Sequence, residues 1–356
     1  MIRILPRRSN DISYLTDDPA REIEGVRDGE AMWWWRAEGG VGRVEDILRG
    51  SSRGTLLGYD VIVAAPRPVS CLLAVGTREE QQGVVRAHRL AVDATLTYLE
   101  TSAARVRRTI LGDTELLPTS VGNVASFTHG INRLGDPHLH DHVLLAARAR
   151  DYDRSIDGRT LYDHVAAADS VYRGVLRASI RAETGRRSWR SFQGVEYVEG
   201  VDEGLRALWS GHNADRDPKK MWTRADARGQ WQRDLERYEE APQMLPPVRS
   251  DEHLHEHAFR SALDGQVRVY RHDLVRAWMD AATFGSTLPD LEASLDHHYP
   301  ELRGHRPRDL NWISLARARS IRDVERSGPR ALRPDHQRSR EVFARSRDDT
   351  VRERSW

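Results

Sequence analysis

Cysteine is nearly absent from this sequence, because Cys71 is the only one among 356 residues. A single cysteine cannot form an intrachain disulfide, and it excludes the zinc sites that are built from several cysteines. A metal site in this chain therefore has to use histidine and carboxylate ligands.

Long apolar runs are absent as well. The chain begins M-I-R-I-L-P-R-R-S-N, which lacks the apolar core of a signal peptide, and no later segment has the ~18 uninterrupted apolar residues that a membrane span needs. These absences predict a cytoplasmic protein without a membrane segment. Charge is balanced, with 55 Lys+Arg against 54 Asp+Glu, so overall charge does not indicate a nucleic-acid partner.

Turn residues and prolines predict how the chain is divided. Residues 1–58 are rich in turns and contain short helical candidates, and A-P-Q-M-L-P-P-V interrupts the periodic pattern again at 241–248. We expect a first domain over residues 1–240, a helical accessory module over 241–327 and an arginine-rich, disordered tail over 328–356.

Apolar periodicity predicts a sheet with helices packed on it. Segments with β-branched or alternating apolar residues are predicted as strands: 59–65, 121–129 and 138–147. Segments with helical spacing are predicted as helices: 81–100 and 166–185, the second stopped by Gly185. The predicted fold class is α+β, with a central antiparallel sheet flanked by helices.

Three histidines occupy alternate positions within G-D-P-H-L-H-D-H-V-L-L-A-A, residues 135–147. The apolar run that follows is typical of a strand, in which alternate side chains share one face. His138, His140 and His142 are therefore predicted to point the same way. Such convergence favours a metal site over a polar sheet face without a ligand.

A second copy of the pattern, D-E-H-L-H-E-H-A-F-R-S-A, covers residues 251–262. Its apolar positions fit a helix, which brings His253 and His257 together and turns His255 away. We interpret this copy as the solvated start of a helix, with its acidic residues near the positive end.

A third ligand is predicted from the segment before the histidine strand. His129 ends the strand-like run V-G-N-V-A-S-F-T-H, and a hairpin across residues 130–137 carries it beside His140 and His142. The predicted metal site therefore consists of His129, His140 and His142.

These residues resemble a known family. The segments Phe127-Thr128-His129, Asn132-Arg133 and Asp136-Pro137-His138-Leu139-His140-Asp141-His142 are similar to the F-x-H, Ser-Arg and D-P-x-L-H-x-H pattern of MobF-type conjugative relaxases. These relaxases belong to the HUH superfamily of enzymes that nick single-stranded DNA. The likeness covers about residues 1–240, so the resemblance implies an HUH-type relaxase domain there.

Two further segments extend the resemblance. G-Y-D-V-I-V-A-A-P-R-P-V-S (58–70) is similar to the family's aspartate segment, which implies that Asp60 is a catalytic residue that supports the metal histidines and the nucleophile. It either orients a histidine, the role that we favour, or takes the tyrosine proton. D-I-S-Y-L-T (11–16) is similar to the segment with the nucleophilic tyrosine, which implies that Tyr14 is the nucleophile, although the family's adjacent tyrosine pair is reduced to one.

The resemblance implies metal-dependent, strand-specific nicking and rejoining of DNA through a 5′-phosphotyrosine, for plasmid or element mobilisation. The implied cofactor is a divalent metal ion, Mg or Mn, with Zn, Ni and Cu as alternatives. The implied partner is single-stranded or hairpin-flanked DNA at an origin of transfer. Because no G-x-x-x-x-G-K-[ST] helicase motif occurs in this sequence, we expect either a separate helicase, with a coupling protein, or a stand-alone relaxase.

Candidate DNA contacts are aromatic and arginine side chains, because single strands are held by stacking and by cations. They are Trp34 within Trp33-Trp34-Trp35, Arg133 in the hairpin and Arg148 after the histidine strand. The Trp33–Trp35 run is also compatible with an amphipathic helix or turn that buries two of the three rings.

Departures from the family pattern leave two alternatives open. Ala147 stands where the family has asparagine, and Arg67-Pro68 replaces Lys-Ser, which favours a catalytically inactive DNA-binding regulator. A rolling-circle replication initiator has the same histidine strand but a later tyrosine, for which Tyr162 and Tyr172 are candidates.

Overall fold

Both strands and helices occur along the part of the chain that the computed structural model describes. The described residues are 1–16, 32–36, 47–48, 56–185, 190–192, 195–209, 222–240, 242–243, 245, 254–264, 268–302 and 312–314. Its strands are β1 (Ile2–Arg7), β2 (Met32–Arg36), β3 (Gly58–Ala64), β4 (Arg105–Ile110), β5 (Asp113–Pro118), β6 (Val124–Ile131), β7 (Pro137–Ala146), β8 (Arg190–Phe192), β9 (Val195–Tyr197), β10 (Arg268–Tyr270) and β11 (Trp312–Ser314). Its helices are α1 (Ser13–Thr16), α2 (Arg67–Val75), α3 (Arg78–Tyr98), α4 (Gly158–Asp163), α5 (Val165–Thr184), α6 (Glu203–Leu208), α7 (Arg224–Glu236), α8 (Leu254–Leu263), α9 (Arg271–Ala281) and α10 (Leu288–His298).

The largest sheet contains β1, β3, β7, β6 and β2 in that spatial order, and all neighbouring strands run antiparallel. This sheet and its flanking helices confirm the predicted α+β fold. The predicted strands correspond to β3, β6 and β7, and the predicted helices to α3 and α5. α5 ends at the predicted stop, because Gly185 caps it with a φ of 65°.

One face of the sheet packs against α3 and α5. Side chains of alternate strand residues, among them Val61, Val63 and Val143, are fully or almost fully buried there. The face carries a continuous apolar core, so it anchors the sheet. None of the helices within the described ranges is long and apolar enough to cross a membrane.

The opposite face carries the histidines and a smaller apolar patch. The buried residues of this patch come from α1 and the residue before it, from residues 47–48 and from β6 and β7: Ile12, Leu15, Ile47, Leu48, Ala125, Phe127 and Leu144. Since Leu15 of α1 and the preceding Ile12 belong to this patch, the short helix lies on the same face as the histidines.

The expectation for residues 1–58 is incomplete, because this region forms two edge strands as well as α1. β1 pairs with β3 despite Pro6, which lies opposite Tyr59. Proline is tolerated there because β1 has a partner on one side only, so the missing N–H costs little. The tryptophans at 33–35 belong to strand β2 and not to a helix or turn.

Helices of the predicted accessory module share the core of the sheet helices. A side-chain atom added at Gly174 of α5 would meet the sulfur of Met279 in α9 at 2.5 Å, so the two helices approach closely. Gly285, with a φ of 79°, lets the loop after α9 run against α5. The boundary predicted at 241–248 stays a prediction, and the tail over 328–356 lies outside the described residues.

A buried hydrogen-bond chain ties the sheet to the helices. The Nε2 atom of His88 in α3 lies 2.9 Å from a carboxylate oxygen of Asp141 in β7, and Nδ1 of His88 lies 2.7 Å from the Tyr172 hydroxyl. The Ser126 hydroxyl donates to the other carboxylate oxygen. Burial raises the pKa of Asp141, but the charge of His88 and the hydrogen bonds from His88 and Ser126 outweigh it and hold that pKa below its usual range.

We expect the substitution Asp141→Asn to lower the free energy of unfolding by about 3 kcal/mol, since it leaves His88 with a poorly matched partner in a fully buried site. Denaturation with urea measures the loss. The control is Asp153→Asn, because Asp153 pairs with Arg148 at the surface and such pairs contribute little. Equal midpoint shifts for the two variants would contradict the structural importance of the chain.

Candidate metal centre

Strand pairing brings the candidate ligands together. In the register of β6 and β7, His129 lies opposite His140, and Phe127 lies opposite His142. Residues that face each other across an antiparallel pair have side chains on the same face of the sheet. His129, His140 and His142 therefore share one face.

The turn between β6 and β7 is held by several hydrogen bonds. The side-chain oxygen of Asn132 accepts from the N–H groups of Leu134 and Asp136, at 2.8 and 2.9 Å. The indole of Trp231 in α7 donates to the Gly135 carbonyl at 2.7 Å. These contacts stabilise the hairpin that carries the histidines.

The three imidazoles form a compact cluster. One ring nitrogen from each of His129, His140 and His142 lies within 4.8 Å of the others. The ring centroid of His129 is 5.1 Å from that of His140 and 5.4 Å from that of His142. No other group of three metal-ligating side chains this close occurs within the described residues.

Hydrogen bonds define which nitrogens are available for a metal. Nδ1 of His142 lies 3.0 Å from both carboxylate oxygens of Asp60, and Nδ1 of His140 lies 2.9 Å from the His138 carbonyl. Carboxylate and carbonyl oxygens only accept, so each Nδ1 carries the hydrogen. The lone pair of a neutral ring then resides on Nε2, which suits metal coordination.

Burial favours the neutral form of two histidines of β7, His140 and His138. It lowers the pKa of His140 well below the usual value, and the neighbouring histidines lower it further. Burial also lowers the pKa of His138 to about 4, with the charge of Arg67 adding to the effect. Because only neutral imidazole binds a metal, this environment favours ligation at neutral pH. Three clustered histidine nitrogens fit a divalent metal ion and leave coordination positions open.

His138 lies beside the cluster and not in it. Its ring centroid is 4.7 Å from that of His140, but its nitrogens are not among the clustered ligand atoms. The ligands supported by geometry are therefore the predicted His129, His140 and His142.

A charged residue that the sequence analysis did not single out lies next to Asp60. The guanidinium of Arg7 in β1 is 3.9 Å from an Asp60 oxygen. Since Arg7 and Asp60 belong to strands separated by a long stretch of sequence, only the sheet pairing reveals this neighbour.

Tyr14 lies in α1, on the histidine-bearing face. Ile12 and Leu15 flank it and pack in the patch that contains Phe127 and Leu144. The side chain of Tyr14 itself lies outside the described part of the structure.

The candidate DNA contacts occupy three separate places. Trp34 pairs with Ala125 in the β2–β6 register, and its side chain lies outside the described part. Arg133 is exposed at the β6–β7 turn. Arg148 is half exposed and pairs with Asp153 at 2.9 Å.

The second histidine pattern does not form a metal cluster among the described residues. It begins α8, as predicted, and His257 is exposed there. His255 stacks on His298 of α10 with ring centroids 4.3 Å apart. His253 lies outside the described residues.

The two alternative tyrosines lie on the other side of the sheet. Tyr172 is fully buried and contacts His88, and burial raises its pKa well above the usual value. Tyr162 is exposed. Burial raises the pKa of Tyr59, and the nearby Tyr162 raises it further, so these two tyrosines lie close together. Tyr59 pairs with Leu145 and so faces away from the histidines.

Comparisons with known proteins agree with this geometry. The model of the TrwC relaxase family matches residues 17–229, so Tyr14 lies just before the matched segment. A metal-free structure of the conjugative relaxase TrwC with oriT DNA is 19% identical, with a TM-score of 0.52, and the match covers 67% of this chain and 98% of that one.

Two further TrwC structures give the same result. A copper-bound complex with oriT DNA is 21% identical, with a TM-score of 0.55 and coverage of 67% of this chain and 97% of that one. A complex with a 27-mer that contains the recognition hairpin and the cleavage site is 18% identical, with a TM-score of 0.52 and coverage of 67% and 98%. No curated protein matches.

The structural similarity to these relaxases shows a shared fold. The family model matches more than half of the chain. The chain therefore belongs to the TrwC relaxase family, whose members are DNA nickases and transesterases.

Proposed function

We propose that this chain nicks and rejoins one DNA strand at a specific site to mobilise a plasmid or another element. The observation that carries the proposal is the convergence of three imidazoles on one face of the sheet, which also carries the helix that contains Tyr14. The replication initiator has less support, since its candidate tyrosines lie on the opposite side of the sheet.

His129, His140 and His142 would hold the metal ion, and we propose Mg or Mn as the physiological ion. When bound, the ion supplies positive charge next to the non-bridging oxygens of the scissile phosphate. The histidines carry no charge in their neutral form, so they leave the charge of the ion available to the phosphate.

Tyr14 is proposed as the nucleophile. Its phenolic oxygen attacks the phosphorus and forms a 5′-phosphotyrosine, while the bond from phosphorus to the 3′ oxygen breaks. The phenolic proton passes to water, and the leaving 3′ oxygen takes up a proton. A DNA 3′-OH reverses the step and rejoins the strand without ATP, because the phosphotyrosine conserves the energy of the bond.

Asp60 is proposed to orient a metal ligand. Both of its oxygens lie 3.0 Å from Nδ1 of His142, and the side chain is 6% exposed. Such a carboxylate selects the tautomer and ring orientation that direct Nε2 toward a metal.

The proposed substrate is single-stranded or hairpin-flanked DNA at an origin of transfer. The similar TrwC structures contain oriT DNA, and one contains a recognition hairpin with the cleavage site. Arg133, Arg148 and Trp34 are proposed contacts with this DNA, since arginine and aromatic side chains bind single strands. A separate helicase and a coupling protein stay predicted partners.

Removing a metal ligand tests the proposed centre. We expect His140→Ala and His142→Ala each to weaken Mn²⁺ binding more than about 100-fold and to abolish cleavage, because each variant removes one of three ligands. Calorimetric titration with Mn²⁺ measures the affinity. The control is His257→Ala, which changes an exposed histidine of the second pattern. Equal losses in the control would contradict the assignment of the site.

Removing one hydroxyl tests the nucleophile. Tyr14→Phe keeps the ring, so we expect folding, Mn²⁺ binding and DNA binding to persist while the covalent protein–DNA adduct disappears. The substrates are single-stranded oligonucleotides from the origin-like DNA that neighbours the gene, and mass spectrometry locates the adduct. Tyr162→Phe serves as the control and should retain it. Attachment at Tyr162 or Tyr172 would support a replication initiator instead.

A further inference from the structure

Arg7 connects two parts of the proposed active site that are distant in sequence. It is the last residue of β1, where it pairs with Gly58, and its side chain is only 11% exposed. The chain leaves the sheet after Arg7 and reaches α1 within a few residues. The arginine is therefore located at the junction between the sheet and the helix of Tyr14.

On one side, the guanidinium holds the segment before α1. Its Nη2 group donates to the carbonyl of Asp11 and, at 3.4 Å, to the carbonyl of Ser9. The Asp11 carboxylate accepts from the N–H of Ser13, the first residue of α1, at 2.9 Å. Arg7 is thus hydrogen-bonded to the segment that begins α1.

On the other side, the guanidinium faces the carboxylate that orients His142. Nη1 of Arg7 is 3.9 Å from one oxygen of Asp60, whose oxygens lie 3.0 Å from Nδ1 of His142. Asp60 is buried, and a buried carboxylate is stabilised by a nearby positive charge.

We propose that Arg7 is a positioning residue that sets the place of Tyr14 relative to the metal histidines. The inference rests on the proposed function, because it requires Tyr14 to be the nucleophile. The planar guanidinium of Arg7 acts in two directions at once: Nη2 donates to the Ser9 and Asp11 carbonyls, and Nη1 forms an ion pair with Asp60 at 3.9 Å. Lysine keeps the charge but has no rigid fork, so it cannot hold both parts in a defined geometry.

The proposal predicts a specific kinetic signature. A nucleophile displaced by about 1 Å slows the chemical step by up to about 100-fold, whereas DNA and metal still bind. We therefore expect Arg7→Lys and Arg7→Gln to lower the single-turnover cleavage rate about 10- to 100-fold at saturating DNA and Mn²⁺. DNA affinity, Mn²⁺ affinity and thermal unfolding of Arg7→Lys should stay close to those of the unchanged protein.

The test compares both variants with Arg8→Gln, which alters the exposed neighbouring arginine and should leave the rate unchanged. The assay uses the full chain and the oligonucleotide that the unchanged protein cleaves. An unchanged rate in Arg7→Lys would overturn the positioning role, and so would a rate loss that is matched by equal losses in DNA or Mn²⁺ affinity. If the unchanged protein binds Mn²⁺ and DNA but does not cleave, the proposed function fails, and the role of Arg7 fails with it.

Discussion

The register between β6 and β7 is the constraint on which the site depends. This register places His140 opposite His129, and it places Asp141 on the other face of β7. A slip by one residue would exchange the faces, so that the histidines would enter the helix-facing core. The buried contact of Asp141 with His88 of α3 opposes such a slip, because only the observed register gives this carboxylate its partner. The anchor of the histidine cluster thus lies on the opposite face of β7.

The histidine-bearing face combines apolar packing with polar chemistry. Phe127 and Leu144 hold α1 against the sheet, while the imidazoles lie farther along the same strands. The helix with the proposed nucleophile and the strands with the proposed ligands therefore belong to one packed unit. Such preorganisation lowers the cost of aligning nucleophile, metal and phosphate during the reaction.

Local periodicity and a short motif were enough to predict the central strands, α3, α5 and the histidine cluster, because these signals depend on neighbouring residues. Long-range contacts were not predictable in the same way. The partners His88 and Asp141 carry no sequence signal for each other, and neither do Arg7 and Asp60. The β4–β5 hairpin escaped prediction because its turn uses Leu111, at a φ of 52°, before glycine, where Asn-Gly is the usual signal.

The central claim is that one divalent ion binds at Nε2 of the three histidines that the β6–β7 register brings together. Anomalous diffraction at the manganese edge, from crystals grown with Mn²⁺, tests it most directly. The account predicts a single strong anomalous peak within coordination distance of one ring nitrogen from each of His129, His140 and His142. A strongest peak at the α8 histidines, or an ion held by fewer than all three predicted ligands, would contradict it.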